Sequence, residues 1–535
     1  MKRSIIKYIA QGDAYAALHP TIEKRKNARM KHNIFNICAV TLFVCLLGSC
    51  TKNFEEINTN PRIATEDIAD PALLLTQVQK ESMFGLMGGD GRVEVFSGYI
   101  GNDAFGNVFQ KGPWDEPFAS FYKSYIININ EAIRISAKDP ALADLNSFAR
   151  IWRAWLFSRL TDLYGDVPYT DAGKNVSDVN VAPSYDTQEF IYTDLFRELK
   201  EAVAVLKQSD GSRENVGSQD LIYSGDVDKW IRLGNSLRLR LAMRVSYVSQ
   251  ELATANINEV LTDELIEDNS QNAILIAGNA DEPAADNKNP YYNGIAGGAK
   301  EFRFASFTTA ETLTQLSDPR ISKFIDLSTA GDYFGIALNL SQDEKNVDLN
   351  RPDNSSSALS ELLWRPDFRF TLINASEVAF LRAEAALRGL TSEDAQALYV
   401  SGIGLSLDYF DIDATDKTNY LSGAAALLTG TDEEKYEQII VQKWIGNYPE
   451  FEEGYAEFRR TGYPRIWTGT APNETNGEIP RRVQYPLSEY NSNSANVTAA
   501  ASRLSNGDSY LSKVWWDARE GLPKHHPKQG TYPPF

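Results

Sequence analysis

The side chains able to do chemistry are unevenly spread. Three of the 535 residues are cysteine, Cys38, Cys45 and Cys50, all within thirteen positions of one another. Four are histidine: His19 and His32 near the N-terminus, His525 and His526 in the final eleven residues. A Ser-His-Asp triad needs a positioned imidazole, a structural zinc site needs thiolates or several imidazoles, and a thiol nucleophile needs a cysteine. Residues 51–524 contain neither residue type, so none of these chemistries is open to them, and no cofactor or metal site is expected. No GxxxxGKS/T loop or GxGxxG turn offers a handle for nucleotides either. What survives is the paired-carboxylate chemistry of a glycoside hydrolase, or recognition without catalysis. For recognition, two stretches stand out: NDAFGNVFQKGPWDEP, with Asp103, Phe105, Phe109 and Trp114, and NPYYNG, with Tyr291 and Tyr292. Rings beside Asn, Asp and Gln combine an apolar platform with groups that bond hydroxyls, as a small-molecule site requires. Loops also use aromatics to pin themselves to a body, so both roles stay open for these residues.

Cys50 has a different context. Ile37 to Leu47 is apolar apart from Thr41, follows Lys24, Arg25, Lys26, Arg29 and Lys31, and precedes Gly48 and Ser49. Basic, apolar, small is the order of a secretory signal, and the run is shorter than the roughly 20 residues that span a bilayer. Leu47-Gly48-Ser49-Cys50 resembles the bacterial lipobox, where small residues let a peptidase cut before a cysteine whose thiol has been diacylated. Residues 1–49 are therefore expected to be a signal peptide and Cys50 the lipidated first residue of the mature chain. Met30 opens a complete signal by itself, so a start at Met30 or a long basic leader accounts for residues 1–29, with the same mature product. Removing 1–49 leaves 45 Lys+Arg against 70 Asp+Glu, which moves the formal charge from -19 to -25. Such a surface repels nucleic acid and anionic headgroups, so no nucleic-acid partner is expected.

The elements that would position these residues are helical. A polar tether, 50–70, leads to a first helix near Pro71 to Met87. Phe118, Phe121, Tyr125, Ile129, Ala132 and Ile133 recur at helical steps, as do Leu145, Phe148, Trp152, Trp155, Leu156 and Leu163, with Asp139-Pro140 breaking the chain between them. The same two-helix pattern recurs as TQEFIYTDLFRELKEAVAVLKQ with DVDKWIRLGNSLRLRLAMRVSYVS, NASEVAFLRAEAALRGL with TSEDAQALYVSGIGLSLDYF, and DEEKYEQIIVQKWIG with PEFEEGYAEFRRTG. Asp186, Asn374 and Thr431, each with Glu three residues on, read as helix starts; Gly389 and Gly446 read as ends. The fold class is all-α: about four tetratricopeptide-like hairpins in one domain, 71–535, interrupted by an irregular insert at about 269–370.

Seven blocks in order resemble one family: WRAWLFSRLTDLYGDVPYTDA (Trp152 to Ala172), KWIRLGNSLRLRLAMRVS (Lys229 to Ser246), DPR (Asp318 to Arg320), EVAFLRAEAALRG (Glu377 to Gly389), GYAEFRRTGYPRIW (Gly454 to Trp467), RRVQYPLSEYNSN (Arg481 to Asn493) and VWWDA (Val514 to Ala518). The chain is similar to the SusD/RagB-like outer-membrane lipoproteins of Bacteroidetes, in the branch with YGDxPY and RRTGYPR blocks. That resemblance implies a non-catalytic, cell-surface nutrient-binding protein of four tetratricopeptide-like units. Its partners would be a SusC-like TonB-dependent transporter, a glycan or peptide ligand, and the outer membrane through the lipid anchor. The family places ligand contacts largely in variable loops, so no binding residue transfers by motif. A helical carboxylate-based glycoside hydrolase and a purely structural surface scaffold remain the alternatives.

Several blocks that look like sites have structural explanations. In LYGDVPYTD, Gly165, Asp166 and Pro168 suit the end of a helix. Arg459, Arg460 and Arg465 are expected to pair with carboxylates or helix C-terminal carbonyls. Trp515-Trp516-Asp517 is expected to seal the end of the solenoid, and DIDATD, which lacks the glycine and distal glutamate of a calcium loop, is expected to be a solvated loop. The ligand site is expected in the 103–117 loop and the 288–307 region, with Trp364 and Phe368 as the insert aromatics to turn to if those rings prove to be anchors.

Overall fold

The computed structural model describes residues 69–87, 92–101, 109, 112–173, 180–278, 287–292, 304–344, 356–472, 474–475, 477–523 and 525–529. All but Ala69 fall in one unit, Asp70–Phe535. The expected signal peptide, Cys50, most of the tether, Asp103 and Phe105 lie outside the described residues.

Helix α1 (Pro71–Met87) starts where Pro71 needs no amide hydrogen and Asp70 accepts from the Ala72 amide at 2.8 Å. After α2 (Arg92–Phe96), α3 (Asp115–Ser120) passes through a π turn, Phe121–Ile126, into α4 (Ile127–Ser136). The spacing of Phe118, Phe121, Tyr125 and Ile129 reads as unbroken α-helix, but the π turn re-aims the face that follows and sets Phe121 against Tyr125 edge to face at 5.4 Å. Asp139 then caps a 3₁₀ turn by accepting from the Ala141 amide at 2.9 Å, and α5 (Ala143–Tyr164) folds back on α4 as expected. Packed also against α1 and the next helices, α5 is buried along most of its length. Trp152 shows how: its ring lies 4.9 Å from Trp155 and 6.4 Å from Trp230, and its indole donates to Ser82 at 3.2 Å.

Helices α6 (Gln188–Leu206) and α7 (Val227–Val245) form the second expected pair, extended by α8 (Gln250–Val260). Thr187, not Asp186, caps α6, accepting from the Phe190 amide at 3.3 Å. Asp186 instead accepts from the amides of Tyr169 and Thr170 at 3.1 and 2.7 Å, tying down the loop after α5.

The insert is less irregular than its composition implies. It contains α9 (Phe307–Gln315) and α10 (Ile321–Phe324), and of the four strands of the described residues, β1 (Ile100–Gly101) precedes it in the chain while β2 (Ala273–Ile276), β3 (Phe304–Ala305) and β4 (Arg369–Ile373) lie in it or at its edge. β1 pairs with β3, and β2 pairs antiparallel with β4, Ala273 opposite Ile373, with a register shift at Ala273/Ile274. Helix α9 escapes a periodicity search because Thr308, Thr309 and Ala310 are buried without being strongly apolar.

Helices α11 (Ala375–Leu387) and α12 (Ala395–Tyr409) make the third pair, followed by α13 (Ala414–Leu421), α14 (Asp432–Gly446), α15 (Phe451–Thr461), α16 (Leu487–Ser492) and α17 (Ser494–Ser502). Asn374 caps α11 through the Glu377 amide at 2.8 Å, and Thr431 and Glu434 close a reciprocal box on α14, both as read from sequence. Gly389 follows α11 at φ +70°, but Gly446 is not a cap. A β-carbon there would stand 2.7 Å from Ser376 Oγ, so this glycine lets α14 approach α11. The fourth pair departs from a simple hairpin: α14 lies mainly on α11 and α12, while α15 is buried at every position and packs on α2.

Candidate functional site

Helix α15 carries charge into the centre of the protein. Glu453 receives Arg244 Nη2 at 2.6 Å and Lys443 Nζ at 3.2 Å; Glu457 receives Arg460 at 2.9 and 2.7 Å; Arg460 also grips Glu384 of α11 through both nitrogens at 2.6 Å. Arg240 of α7 makes the same two-pronged contact with Glu377, at 2.7 and 2.6 Å. Burial alone would raise the carboxyls of Glu453, Glu457 and Glu384. At Glu453 the cations Arg244, Arg240 and Lys443 outweigh it and hold the group well below the usual range, and Arg460 and Lys443 bring Glu457 down to about 2. Glu450 and Glu452 have weaker compensation from Arg159, and burial pushes them up to about 7 and about 8.

The blocks that looked like sites converge on this centre. Asp162 accepts from Tyr192 Oη at 2.6 Å and from the Trp516 indole at 2.7 Å. Arg459 donates to the Asp162 carbonyl at 2.5 Å, near the C-terminal end of α5, and lies 3.9 Å from the Tyr455 ring and 4.7 Å from that of Trp516. Arg481 clasps Asp517 at 2.8 and 2.6 Å, and Arg465 meets Glu437 at 2.7 Å. Asp166 accepts from the Gln188 amide at 2.9 Å, joining the end of α5 to the start of α6, and Asp413 caps α13. The arginines pair with carboxylates or a helix-end carbonyl, as expected, whereas Trp516 is an interior residue fastened to Asp162 and Asp413 caps the helix that follows it.

The expected loop platforms are mostly interior. Phe109 is buried 5.8 Å from Phe96. Trp114 is buried under the Arg92 guanidinium at 5.1 Å, and its carbonyl accepts from Tyr164 Oη at 2.7 Å. Tyr291 is buried edge-on to Trp364 at 6.2 Å, its hydroxyl 3.4 Å from Glu94. Tyr292 is half-buried. In these positions Phe109, Trp114 and Tyr291 act as loop anchors and offer no ring face to a solute. The sequence could not separate anchor from platform, because both need an aromatic among loop residues.

Open clefts among the described residues lie elsewhere, and two of them have aromatic and polar walls. The smaller, about 370 Å³, is bounded by α10, residues 360–369, the end of α12 and Tyr448-Pro449, with aromatic walls from Phe368, Tyr409, Phe410 and Tyr448. Phe368 is the fallback aromatic named from sequence; Trp364 packs behind it and donates to the Leu359 carbonyl at 3.1 Å. The larger, about 870 Å³, lies between α9, α13, α14 and residues 526–528. Its polar lining is largely engaged: Tyr420 Oη donates to Asp318 at 2.8 Å, Arg465 pairs with Glu437, and His526 pairs with Glu311 at 2.7 Å. None of the raised carboxyls of the buried centre lines either cleft. Among the described residues no helix is long and apolar enough to cross a membrane, and no three or more His, Cys, Asp or Glu group as a metal ligand set.

Helical pairs locked by buried ion pairs, with open clefts between helices and connecting segments, define a repeat-type α-helical scaffold. Residues 100–486 match the SusD-like family model described as starch-binding and associating with the outer membrane, and the chain belongs to that family. Among solved structures it is similar to a chitin-binding protein (27% identity over 84% of this chain and 100% of that one, TM-score 0.71) and to a chitin-binding SusD homolog from Flavobacterium johnsoniae (26%, 84% and 97%, TM-score 0.70). A SusD-like protein from Bacteroides thetaiotaomicron is also similar (25%, 85% and 100%, TM-score 0.70). No curated protein matches.

Proposed function

We propose that this chain is a lipid-anchored outer-membrane protein that captures glycans at the cell surface and passes them to a SusC-like TonB-dependent transporter. The observation that carries this is the family match over residues 100–486, a family described as starch-binding and outer-membrane associated. The two chitin-binding neighbours support a polysaccharide over a peptide. Glycan contact by Asp103, Phe105 and Tyr292 is compatible with the fastening of Phe109, Trp114 and Tyr291 into the body. Capture without cleavage fits the placement of the carboxyls. A glycosidase acid must keep its proton and reach the glycosidic oxygen, whereas Glu450 and Glu452, both raised by burial, line neither of these clefts, and Glu437, also raised by burial, lines the larger one but is held by Arg465 at 2.7 Å.

The test is incubation of the purified chain with starch, chitin and xylan oligosaccharides. Retention of one of them without product release is expected; steady release of shortened products would establish a hydrolase instead. Extraction of the outer membrane in mild detergent is expected to co-purify a β-barrel transporter with the chain.

A further inference from the structure

The smaller cleft has features that its packing role does not explain. Tyr448 lines it and is buried, at 2% exposure, with its ring stacked on Phe324 at 4.2 Å, yet its hydroxyl has no hydrogen-bond partner among the described residues. A buried hydroxyl left unsatisfied costs on the order of 1–3 kcal/mol, so native structures keep few of them without a reason. The lining of the cleft includes three cations, Lys323, Arg365 and Arg369. Only Arg365 has a carboxylate partner among the described residues, Asp367 at 2.8 Å. The same walls carry Asp326, Glu361 and Asp411, none of which is ion-paired there.

Donors and acceptors interleaved in this way suit a ligand whose groups each donate and accept. Hydroxyls do both; a phosphate would meet the cations but also four carboxylates. The rings of Tyr409, Phe410 and Phe368 supply the apolar side that C–H faces of a sugar require. At about 370 Å³ the cleft is near the small end of the roughly 300–1,000 Å³ range of small-molecule sites, so it suits a short saccharide or a chain end. Its wall is held from behind: Asn289 Nδ2 donates to the carbonyls of Leu363 and Arg365 at 2.8 and 2.9 Å, fixing 363–366 to the 287–292 segment.

We infer that the cleft between α10, residues 360–369 and Tyr448 is a saccharide-binding site, with the Tyr448 hydroxyl and the Asp326 carboxylate as hydrogen-bonding groups and the neighbouring rings as platform. This rests on the reading of the chain as a glycan-capturing protein and adds a site distinct from the loops proposed above.

The full chain, purified in detergent, is titrated calorimetrically with maltotriose, chitotriose, xylotriose and trialanine, beside the variants Tyr448→Phe and Asp326→Asn. One trisaccharide is expected to bind, and each variant to weaken it about five- to tenfold, the effect of losing one good hydrogen bond. Tyr448→Phe is expected to keep or raise Tm, since it removes only an unpartnered hydroxyl. Equal affinity in the parent and both variants would put the sugar elsewhere, overturning this site while leaving glycan capture intact. No trisaccharide bound at millimolar concentration would overturn both readings. Trialanine binding that the variants weaken would assign the cleft to peptide and overturn the saccharide assignment.

Discussion

Arg460 and Glu384 face each other across α15 and α11, both guanidinium nitrogens 2.6 Å from the two carboxylate oxygens, and neither side chain is exposed. The pair joins residues 76 positions apart at a point where Glu457 also meets Arg460 and where Tyr436 Oη reaches Glu384 at 3.3 Å. A contact of this kind fixes geometry more than it adds net stability, because each charge gives up its hydration to enter.

The consequence is asymmetric. Arg460→Ala leaves Glu384 and Glu457 buried with one cation fewer and is expected to cost about 3–5 kcal/mol. The double change Arg460→Met with Glu384→Leu still leaves Glu457 short of a partner but removes one of the stranded carboxylates. It is expected to cost less than Arg460→Ala alone. Urea unfolding followed by circular dichroism measures both, and a double variant as unstable as the single one would contradict this account.

Stability is expected to depend on pH through α15. Glu450 and Glu452 have folded pKa values raised to about 7 and about 8, above the ordinary 4.5, because burial outweighs Arg159. Their contribution is full below the ordinary carboxyl range and is lost as pH rises through 7 to 8. Glu453 and Glu457 work the other way: held low by their cations, they stabilise above the ordinary value and lose that contribution in strong acid, near 2 for Glu457. Tm should therefore fall between pH 6 and pH 9, and Glu452→Gln should flatten part of that fall.

The loop aromatics give a third expectation. Trp114→Ala and Tyr291→Ala each empty a buried position, and each should destabilise by about 3–5 kcal/mol, the usual range for large aromatic truncations. Replacing half-buried Tyr292 by Ala should cost much less. If Phe105 and Tyr292 contact glycan as proposed, their alanine variants lose affinity with Tm nearly unchanged, which separates ligand contact from anchoring. Calorimetric titration and a melting curve on each variant decide between the two.

How far the sequence revealed this structure depended on whether the signal was local. The Asn374 and Thr431 caps, the Asp139-Pro140 break and the pairings of α4 with α5, α6 with α7, and α11 with α12 follow from periodicity and capping chemistry that act within a few residues. The family blocks were legible too, and their arginines proved to be fastenings, as an acidic chain with few free cations implies. The central position of α15 was hidden. Its sequence, FEEGYAEFRRT, reads as the second helix of a fourth hairpin, and only partners from α5, α7, α11 and α14, which no local spacing reveals, make burial of its charges tolerable. The cleft at Tyr448 was hidden for the same reason. Lys323, Phe368, Tyr409 and Tyr448 come from four separate stretches, and no spacing rule relates them.

The lipid anchor is the expectation with the cleanest readout. Cys50 is the only cysteine outside the apolar run 37–47, and it follows Leu47-Gly48-Ser49 directly, so it is the cysteine expected to take a thioether lipid. Each buried methylene of an acyl chain contributes about 0.8 kcal/mol, so two or three chains hold a protein on a bilayer essentially permanently, where one would exchange. Cys50→Ala removes every chain at once. The helical body should be untouched, because Asp70–Phe535 makes its own contacts and no cysteine lies within it. Expressed in cells fed a radiolabelled fatty acid, the parent chain should carry label and sediment with the outer membrane. The variant should carry none and appear in the soluble fraction with the parent's circular dichroism spectrum and Tm. Label retained on Cys50→Ala would overturn the lipidation site, and an unlabelled variant still held at the membrane would show that a protein partner, the transporter foremost, suffices to keep the chain there.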